Sequence, residues 1–346
     1  MEKTFCLFLL TALLAACTSM RYIGIDTYNP AEITYPEGVG TVLVVNNALP
    51  QDPASGCEFK LLGVDQDTCR MQADSALFDL CRTLGKTIFE TGFFHDVVLF
   101  EECTREDGFF LSDQKLTAEQ VVSLCEEAEA DAVISLDRML FRMKKNVSAF
   151  AEGYVHGEIK VEVNAVLRTY LPGREQPMAT LLVSDSLFWG EYADNAGTLD
   201  DVLPPPDEAL RTVGAYVGEK VYAYFVPHWA SSIRWYYIGG FGTQWKEASA
   251  LAANEKWEQA GERWQQINAR ATNWQAKAKS ASNIALAYEL KDEINTALEW
   301  AEKSYRLFEE NKGNDHKDTQ LAKSYVDALT DRIRAGEKLK VQFGEE

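Results

Sequence analysis

Apolar and polar positions follow three successive rhythms along this chain, and each rhythm predicts a different architecture. Residues 41–47 (TVLVVNN) form a β-branched apolar run between Gly40 and Pro50, the pattern of a buried strand. Over residues 71–91, Ala73, Leu77, Leu80, Leu84 and Ile88 fall three or four apart and predict a helix with one apolar stripe. DVVLFE at 96–101 predicts a second strand. Thr117 and Gln120 then compose a capping box, flanked by the staple pair Leu116 and Val121, and the helix continues through Leu124, Cys125 and Ala128. AVISL at 132–136 follows as a third strand.

From Val155 the rhythm changes to period two. Val155, Ile159, Val161, Val163, Ala165 and Leu167 lie on one face, and His156, Glu158, Lys160, Glu162, Asn164 and Arg168 on the other, as in a strand with one wet side. Pro172-Gly173 turns the chain into an antiparallel partner, ATLLVSDSLFW. Pro204-Pro205-Pro206 stops that sheet and opens a helix carrying Leu210, Val213, Val217, Val221 and Tyr224. This order predicts an α/β (α+β) domain with a mixed sheet over residues 41–237. The order is similar to that of the small α/β domain of periplasmic envelope lipoproteins, such as the curli-secretion lipoprotein and the activators of penicillin-binding proteins. The likeness is in element order alone and transfers no site.

The third rhythm is helical and repetitive. Residues 243–346 hold almost no β-branched runs, and Ala248 and Leu251, Ala285 and Tyr288, and Ala322 and Tyr325 recur at a constant interval of 37 residues. Ala260 and Ala297 repeat in the same register, as do Trp264 and Ala301. The segment NIALAYELKDEINTALEWAEKSY resembles a tetratricopeptide repeat, with Ile284, Ala285, Tyr288, Ala297, Ala301 and Ser304 at its packing positions. That family's period is about 34 residues, so a longer connection near ARATNWQ accounts for the difference. Glu247 stands where the first unit should be apolar, and Arg334 where the third should be small. The resemblance implies an all-α tetratricopeptide-like array whose first helices line a concave groove. Its groove-facing positions would be Trp245 and Ser249, then Lys279, Ser282 and Glu289, then Thr319 and Lys323, a mixed-polarity surface suited to a peptide or a partner's helix.

The N-terminus adds an address. Lys3, the run FCLFLLTALL and the sequence Leu14-Ala15-Ala16-Cys17 read as a secretory signal, and Leu-Ala-Ala-Cys resembles the bacterial lipobox. The resemblance implies removal of residues 1–16, acylation of Cys17, and a tether over 17–40 that holds the body to a membrane by lipid. The residues after Cys17 are Thr18, Ser19, Met20 and Arg21, with neither an Asp next to the Cys nor an acidic run. In such lipoproteins this favours the periplasmic face of the outer membrane. As a whole the chain is similar to lipoproteins of Bacteroidetes-type bacteria.

Charge and chemistry narrow the rest. The 346 residues carry 34 Lys and Arg against 53 Asp and Glu, a net charge of −19, which repels phosphate backbones and argues against nucleic acid as a partner. Without Cys6 and Cys17, five cysteines remain: Cys57, Cys69, Cys81, Cys103 and Cys125. Cys57 and Cys69 bracket a loop-like segment and are the expected disulfide, while Cys81 and Cys125 fall on apolar helix stripes. The four histidines are scattered, so no metal or cofactor site is expected. No nucleophile elbow, phosphate loop or Cys-x-x-Cys appears, so no enzymatic activity is expected. Trp257, Trp264, Trp274 and Trp300 are expected in helix packing, and Trp229, Trp235, Tyr236 and Tyr237 in a seam between the two domains. Asp74-Ser75-Ala76 and Asp185-Ser186-Leu187 resemble a short O-glycosylation motif, with both serines expected to be buried. The function expected is a periplasmic protein–protein adaptor or scaffold that recruits an envelope protein or peptide. The alternative is a glycan- or peptidoglycan-binding module built on exposed tryptophans.

Overall fold

The computed structural model describes residues 20–66, 69–105 and 108–345; the signal segment 1–16 and Cys17 lie outside them. The chain forms two compact bodies, one spanning Ala31–His228 and the other joining the residues before Ala31 to Trp229 and everything after it.

The first body is a mixed α/β domain around a seven-stranded sheet. β2 (Thr41–Asn46) runs parallel to β5 (Asp96–Cys103) on one side and to β6 (Ala132–Ala149) on the other. Beyond β2, β6 continues in parallel with β3 (Cys57–Leu61), which pairs with the short β4 (Val64–Gln66). The opposite side of β6 carries the antiparallel β7 (Val155–Tyr170), and β8 (Ala179–Ala193) closes that edge. Cys57 and Cys69 are joined in a disulfide with their Cα atoms 5.7 Å apart, tying the start of β3 to the segment before the first helix.

A register shift between Leu136 and Arg138 inserts one extra residue into β6. Because side chains alternate, one inserted residue reverses the phase of the strand. Before the bulge the even positions Ala132, Ile134 and Leu136 enter the main core, and after it the odd positions Met139, Phe141 and Met143 do. α1 (Asp74–Thr91) and α4 (Pro206–Phe225) cover this face of the sheet. The apolar stripe expected from residues 73 to 88 is buried throughout. α2 (Ala118–Ala128) covers part of the other face, packing Val121, Leu124 and Cys125 against Leu43, Val45 and Val133. Its capping box is formed: Gln120 N–H donates to Thr117 Oγ1 at 3.2 Å and Thr117 N–H to Gln120 Oε1 at 2.9 Å, an arrangement that contributes about 1 kcal/mol. α3 (Ala196–Val202) follows β8.

The second body is all-helical except for a two-stranded sheet. β1 (Met20–Asn29) pairs with β9 (His228–Tyr237), and five helices follow: α5 (Thr243–Ala253), α6 (Trp257–Arg270), α7 (Trp274–Glu289), α8 (Ile294–Lys312) and α9 (Lys317–Gln342). Each helix packs on the next in sequence. Ala248, Ala285 and Ala322 are buried at their common interval, as are Ala260 and Ala297.

Two expected segments contribute strands to the second body. The tether expected over 17–40 contains β1, whose Ile25 and Thr27 turn inward while Tyr22, Gly24 and Asp26 face out. The α/β domain is expected to run to 237; within that span β9 packs with the second compact body, which takes up the chain at Trp229 and buries Tyr236 and Tyr237.

α1 and α4 meet at glycine contacts. A Cβ on Gly214 would lie 2.3 Å from Ala76 O, and one on Gly218 2.5 Å from Leu80 O, so these positions let the two backbones touch. Gly214→Ala is expected to force the helices apart and lower stability by about 2 kcal/mol, read from the midpoint of urea unfolding.

Candidate functional site

Four of the seven positions expected to line an open groove in the helical body, Trp245, Ser249, Lys279 and Glu289, meet β9 or the residue after it. Asn283 on α7 grips the end of β9: Tyr237 N–H donates to Asn283 Oδ1 at 2.7 Å, and Asn283 Nδ2 donates to Tyr237 O at 2.9 Å. Trp245 is fully buried and donates Nε1–H to the same carbonyl at 3.0 Å. Ser249 Oγ donates to Ile238 O at 3.4 Å, and the Lys279 ammonium sits 5.1 Å from the centre of the Tyr237 ring. Burial, only partly offset by Asp318, holds that ammonium below the ordinary lysine pKa. Ser282, Glu289 and Thr319 are buried, and of the seven expected contact residues Lys323 alone is exposed. At Trp245, Ser249, Lys279 and Glu289 the space expected for a partner is occupied from within the chain, by β9 and Ile238.

Glu289 is the centre of that contact. Its carboxylate accepts from Arg234 Nε at 3.1 and 3.0 Å, from Arg234 Nη2 at 3.0 Å, from Arg332 Nη1 at 3.2 Å and from the Tyr325 hydroxyl at 2.8 Å. Burial and the charge of Glu289 push the Tyr325 hydroxyl well above the ordinary tyrosine pKa, so it remains a donor. Trp235 adds a ring contact with Tyr325, centroids 5.5 Å apart. Among the tryptophans expected in packing, Trp264 is fully buried; Trp229, expected in a seam, is 67% exposed.

A second buried carboxylate sits on β6 just past the residue where β2 ends and its parallel pairing with β6 stops; the ends of parallel strands are where ligands enter open α/β sheets. The bulged residue Asp137 has no solvent exposure. Asp137 Oδ1 accepts from Ser135 Oγ at 2.6 Å and Asn47 Nδ2 at 3.1 Å, and Oδ2 from Arg168 Nη1 at 2.6 Å and the Tyr170 hydroxyl at 2.8 Å. Arg168 also donates from Nη2 to Asp113 Oδ2 at 2.6 Å. Burial opposes both charges, but the hydrogen bond and charge of Arg168, with backbone donation, together lower the Asp113 pKa, and hydrogen bonds to Asp137 and Asp113 with the Asp137 charge together raise that of Arg168. Asn47 Nδ2 further donates to Gln114 O at 2.8 Å, holding the segment between β5 and α2 across the strand ends. With all four acceptor directions of Asp137 taken, the crevice is closed by the protein's own groups.

Other chemistry is sparse among the described residues. No group of three or more His, Cys, Asp or Glu side chains is placed to hold a metal, and no helix is long and apolar enough to cross a membrane. Cys81 and Cys125 are buried, and burial raises both thiol pKa values. An open depression of about 600 Å3 between α7 and α8 is lined by Lys277, Trp300, Lys303 and Arg306, but the Lys303 ammonium already covers the Trp300 ring at 4.2 Å.

The accessible features are on β8 and beside it. Among the described residues the strand pairs with β7 alone, and its 15 residues alternate half-buried and exposed over most of its length. Asp185 turns inward toward α4, accepting from Lys220 at 2.5 Å and Tyr216 at 3.4 Å. On the outward face, Leu182 is 74% exposed, Phe188 61% and Tyr192 63%. At one end of this face four rings cluster: Phe150 stacks on Tyr154 at 5.0 Å, and Tyr192 lies 5.7 Å from Tyr154 and 4.3 Å from His156. Ser75 and Ser186, both expected to be buried, are exposed. The period of β7 announced a wet face on that strand, and Pro172-Gly173 announced β8 as its antiparallel partner; no sequence signal announced that the sheet ends at an open edge.

The profile of a protein family described as Domain of unknown function (DUF8603) matches residues 39–237, more than half of the chain. A second, Domain of unknown function (DUF6340), matches residues 246–331 in the helical body. The first match takes in β9, although that strand packs with the helices. No curated protein matches the sequence. A solved structure of a neuraminyllactose-binding hemagglutinin homolog from Helicobacter pylori aligns at 12% identity over 56% of this chain and 86% of its own, with a TM-score of 0.27, too low to carry an argument.

Glu289→Ala leaves the buried Arg234 guanidinium and the Tyr325 hydroxyl without their carboxylate acceptor, while the half-buried Arg332 keeps Asp292. Thermal unfolding of this variant is expected to show a loss of about 3 to 5 kcal/mol, against a much smaller loss for Lys323→Ala on the exposed face.

Proposed function

We propose that this chain, which belongs to the DUF8603 family, is a lipid-anchored adaptor of the bacterial envelope that receives an extended segment of a partner protein along β8. The observation that carries the reading is the outer edge of β8, which no strand among the described residues pairs with, on a 15-residue strand presenting Leu182, Phe188 and Tyr192 to solvent. An exposed edge of this length offers a row of backbone donors and acceptors to another chain, and outward side chains select which chain binds. Asp185, Lys220 and Tyr216 hold the strand from behind, so little ordering is needed on binding. In this reading the lipobox-like Cys17 would be acylated and would hold the chain at the periplasmic face of the outer membrane. The reading involves no bond-making step: both interior carboxylates, Asp137 and Glu289, are already saturated with donors.

The test is site-specific photocrosslinking in the cell from position 182. A discrete adduct is expected that disappears in Phe188→Asp, while unfolding of the purified variant shifts by no more than about 0.5 kcal/mol. Absence of any adduct that depends on residue 188 sinks the reading.

A second reading rests on the four-ring cluster of Phe150, Tyr154, His156 and Tyr192, whose exposed faces suit stacking against a sugar ring. Calorimetric titration with peptidoglycan fragments and envelope polysaccharides should then give a binding heat that Tyr192→Ala abolishes. A flat titration with every glycan removes this alternative.

A further inference from the structure

The two-stranded sheet of the helical body has an outward face with no assigned role, and its position in the chain says what covers it. Three residue steps separate Cys17 from Met20, where β1 begins, so the strand starts no more than roughly 11 Å from that cysteine. If Cys17 carries acyl chains, as the lipobox-like sequence implies, the first strand is held at the bilayer surface by chain length alone; the inference rests on that reading.

What the sheet presents there is aromatic and aliphatic. Inward positions Ile25, Thr27, Arg234 and Tyr236 are buried against the helices. Outward, Tyr22 is 61% exposed, Trp229 67% and Ile233 70%. The two strands share this face without a break: a Cβ on Gly24 would lie 3.6 Å from Ser231 Oγ. Tyr28 extends it, its ring 5.2 Å from Trp229 and 6.2 Å from Phe343 just beyond α9, and Phe343 is itself 50% exposed. In a chain of net charge −19, the exposed charges of β1 are one of each sign, Arg21 and Asp26. A near-neutral face can approach anionic headgroups that the rest of the surface repels.

We propose that this face, with Trp229, Ile233 and Tyr22 at its centre, is seated in the headgroup layer of the bilayer that holds the acyl chains of Cys17. Tryptophan and tyrosine prefer that layer because one end of each ring system is apolar and the other donates hydrogen bonds. Lipid attachment alone leaves the body free to swivel; a second contact beside the anchor fixes its orientation and adds the second signal that stable attachment needs.

The experiment uses the full acylated chain, reconstituted in vesicles of phosphatidylethanolamine and phosphatidylglycerol whose acyl chains carry bromine, with acylation read by mass spectrometry on the same preparation. Bromine quenching of tryptophan fluorescence is expected, and most of it is lost in Trp229→Phe and in Ile233→Asp, while Trp264→Phe retains it. An acylated chain with no quenching that depends on Trp229 overturns the inference and leaves the tether reading intact. A chain without fatty acid overturns both. Shielding of Trp229 from aqueous acrylamide without bromine quenching places a protein surface on this face and overturns the inference.

Discussion

A carboxylate without water must be surrounded by donors, and the helical body is organised by that requirement at Glu289. The donors come from separate elements, Arg234 from β9 and Tyr325 and Arg332 from α9, while Glu289 itself ends α7. None of the three elements can leave without stranding a buried charge, so a strand that precedes the helices in sequence is a part of their core. The consequences run in two directions. The domain boundary falls before β9, and the surface that an open helical array would offer to a partner is spent on the chain's own backbone through Asn283, Trp245 and Ser249.

The α/β body solves the same problem at Asp137. The bulge in β6 serves two purposes at one residue: it reverses the strand's phase so that both halves feed one apolar core, and it sets the carboxylate among Ser135, Asn47, Arg168 and Tyr170. Through Arg168 and Asn47 the network also reaches Asp113 and Gln114, fixing the segment that crosses the strand ends. A crevice that in many α/β proteins is left for a ligand is thereby filled with the protein's own groups around a carboxylate whose acceptor sites are all used.

With both interiors closed, recognition is left to surfaces. β8 and the β1–β9 sheet have opposite designs. β8 is backed by a core helix and shows a backbone edge that no strand among the described residues pairs with, which suits another polypeptide. The β1–β9 sheet offers a short face of large side chains close in sequence to the proposed anchor, which suits an interfacial layer with no backbone groups to pair.

Much of this was legible in the residues alone. Periodicity located α1, α2 and α4 and the wet face of β7 as far as Asn164, though Arg168 on that face is buried; Thr117 and Gln120 marked a helix start; and Ala248, Ala285 and Ala322 announced a repeating helical interval. Each of these is local, since the side-chain period of an element is determined by its own backbone geometry. β1 was missed although Ile23, Ile25 and Thr27 alternate with Tyr22, Gly24 and Asp26, because a short half-polar strand is stable only with a partner, and its partner lies some two hundred residues away. Glu289 shows the same limit from the other side. Its spacing on the helix turned it toward the facing surface, but a periodic pattern specifies only a direction, and what occupies the space opposite is decided by segments remote in sequence that arrive there when the chain folds.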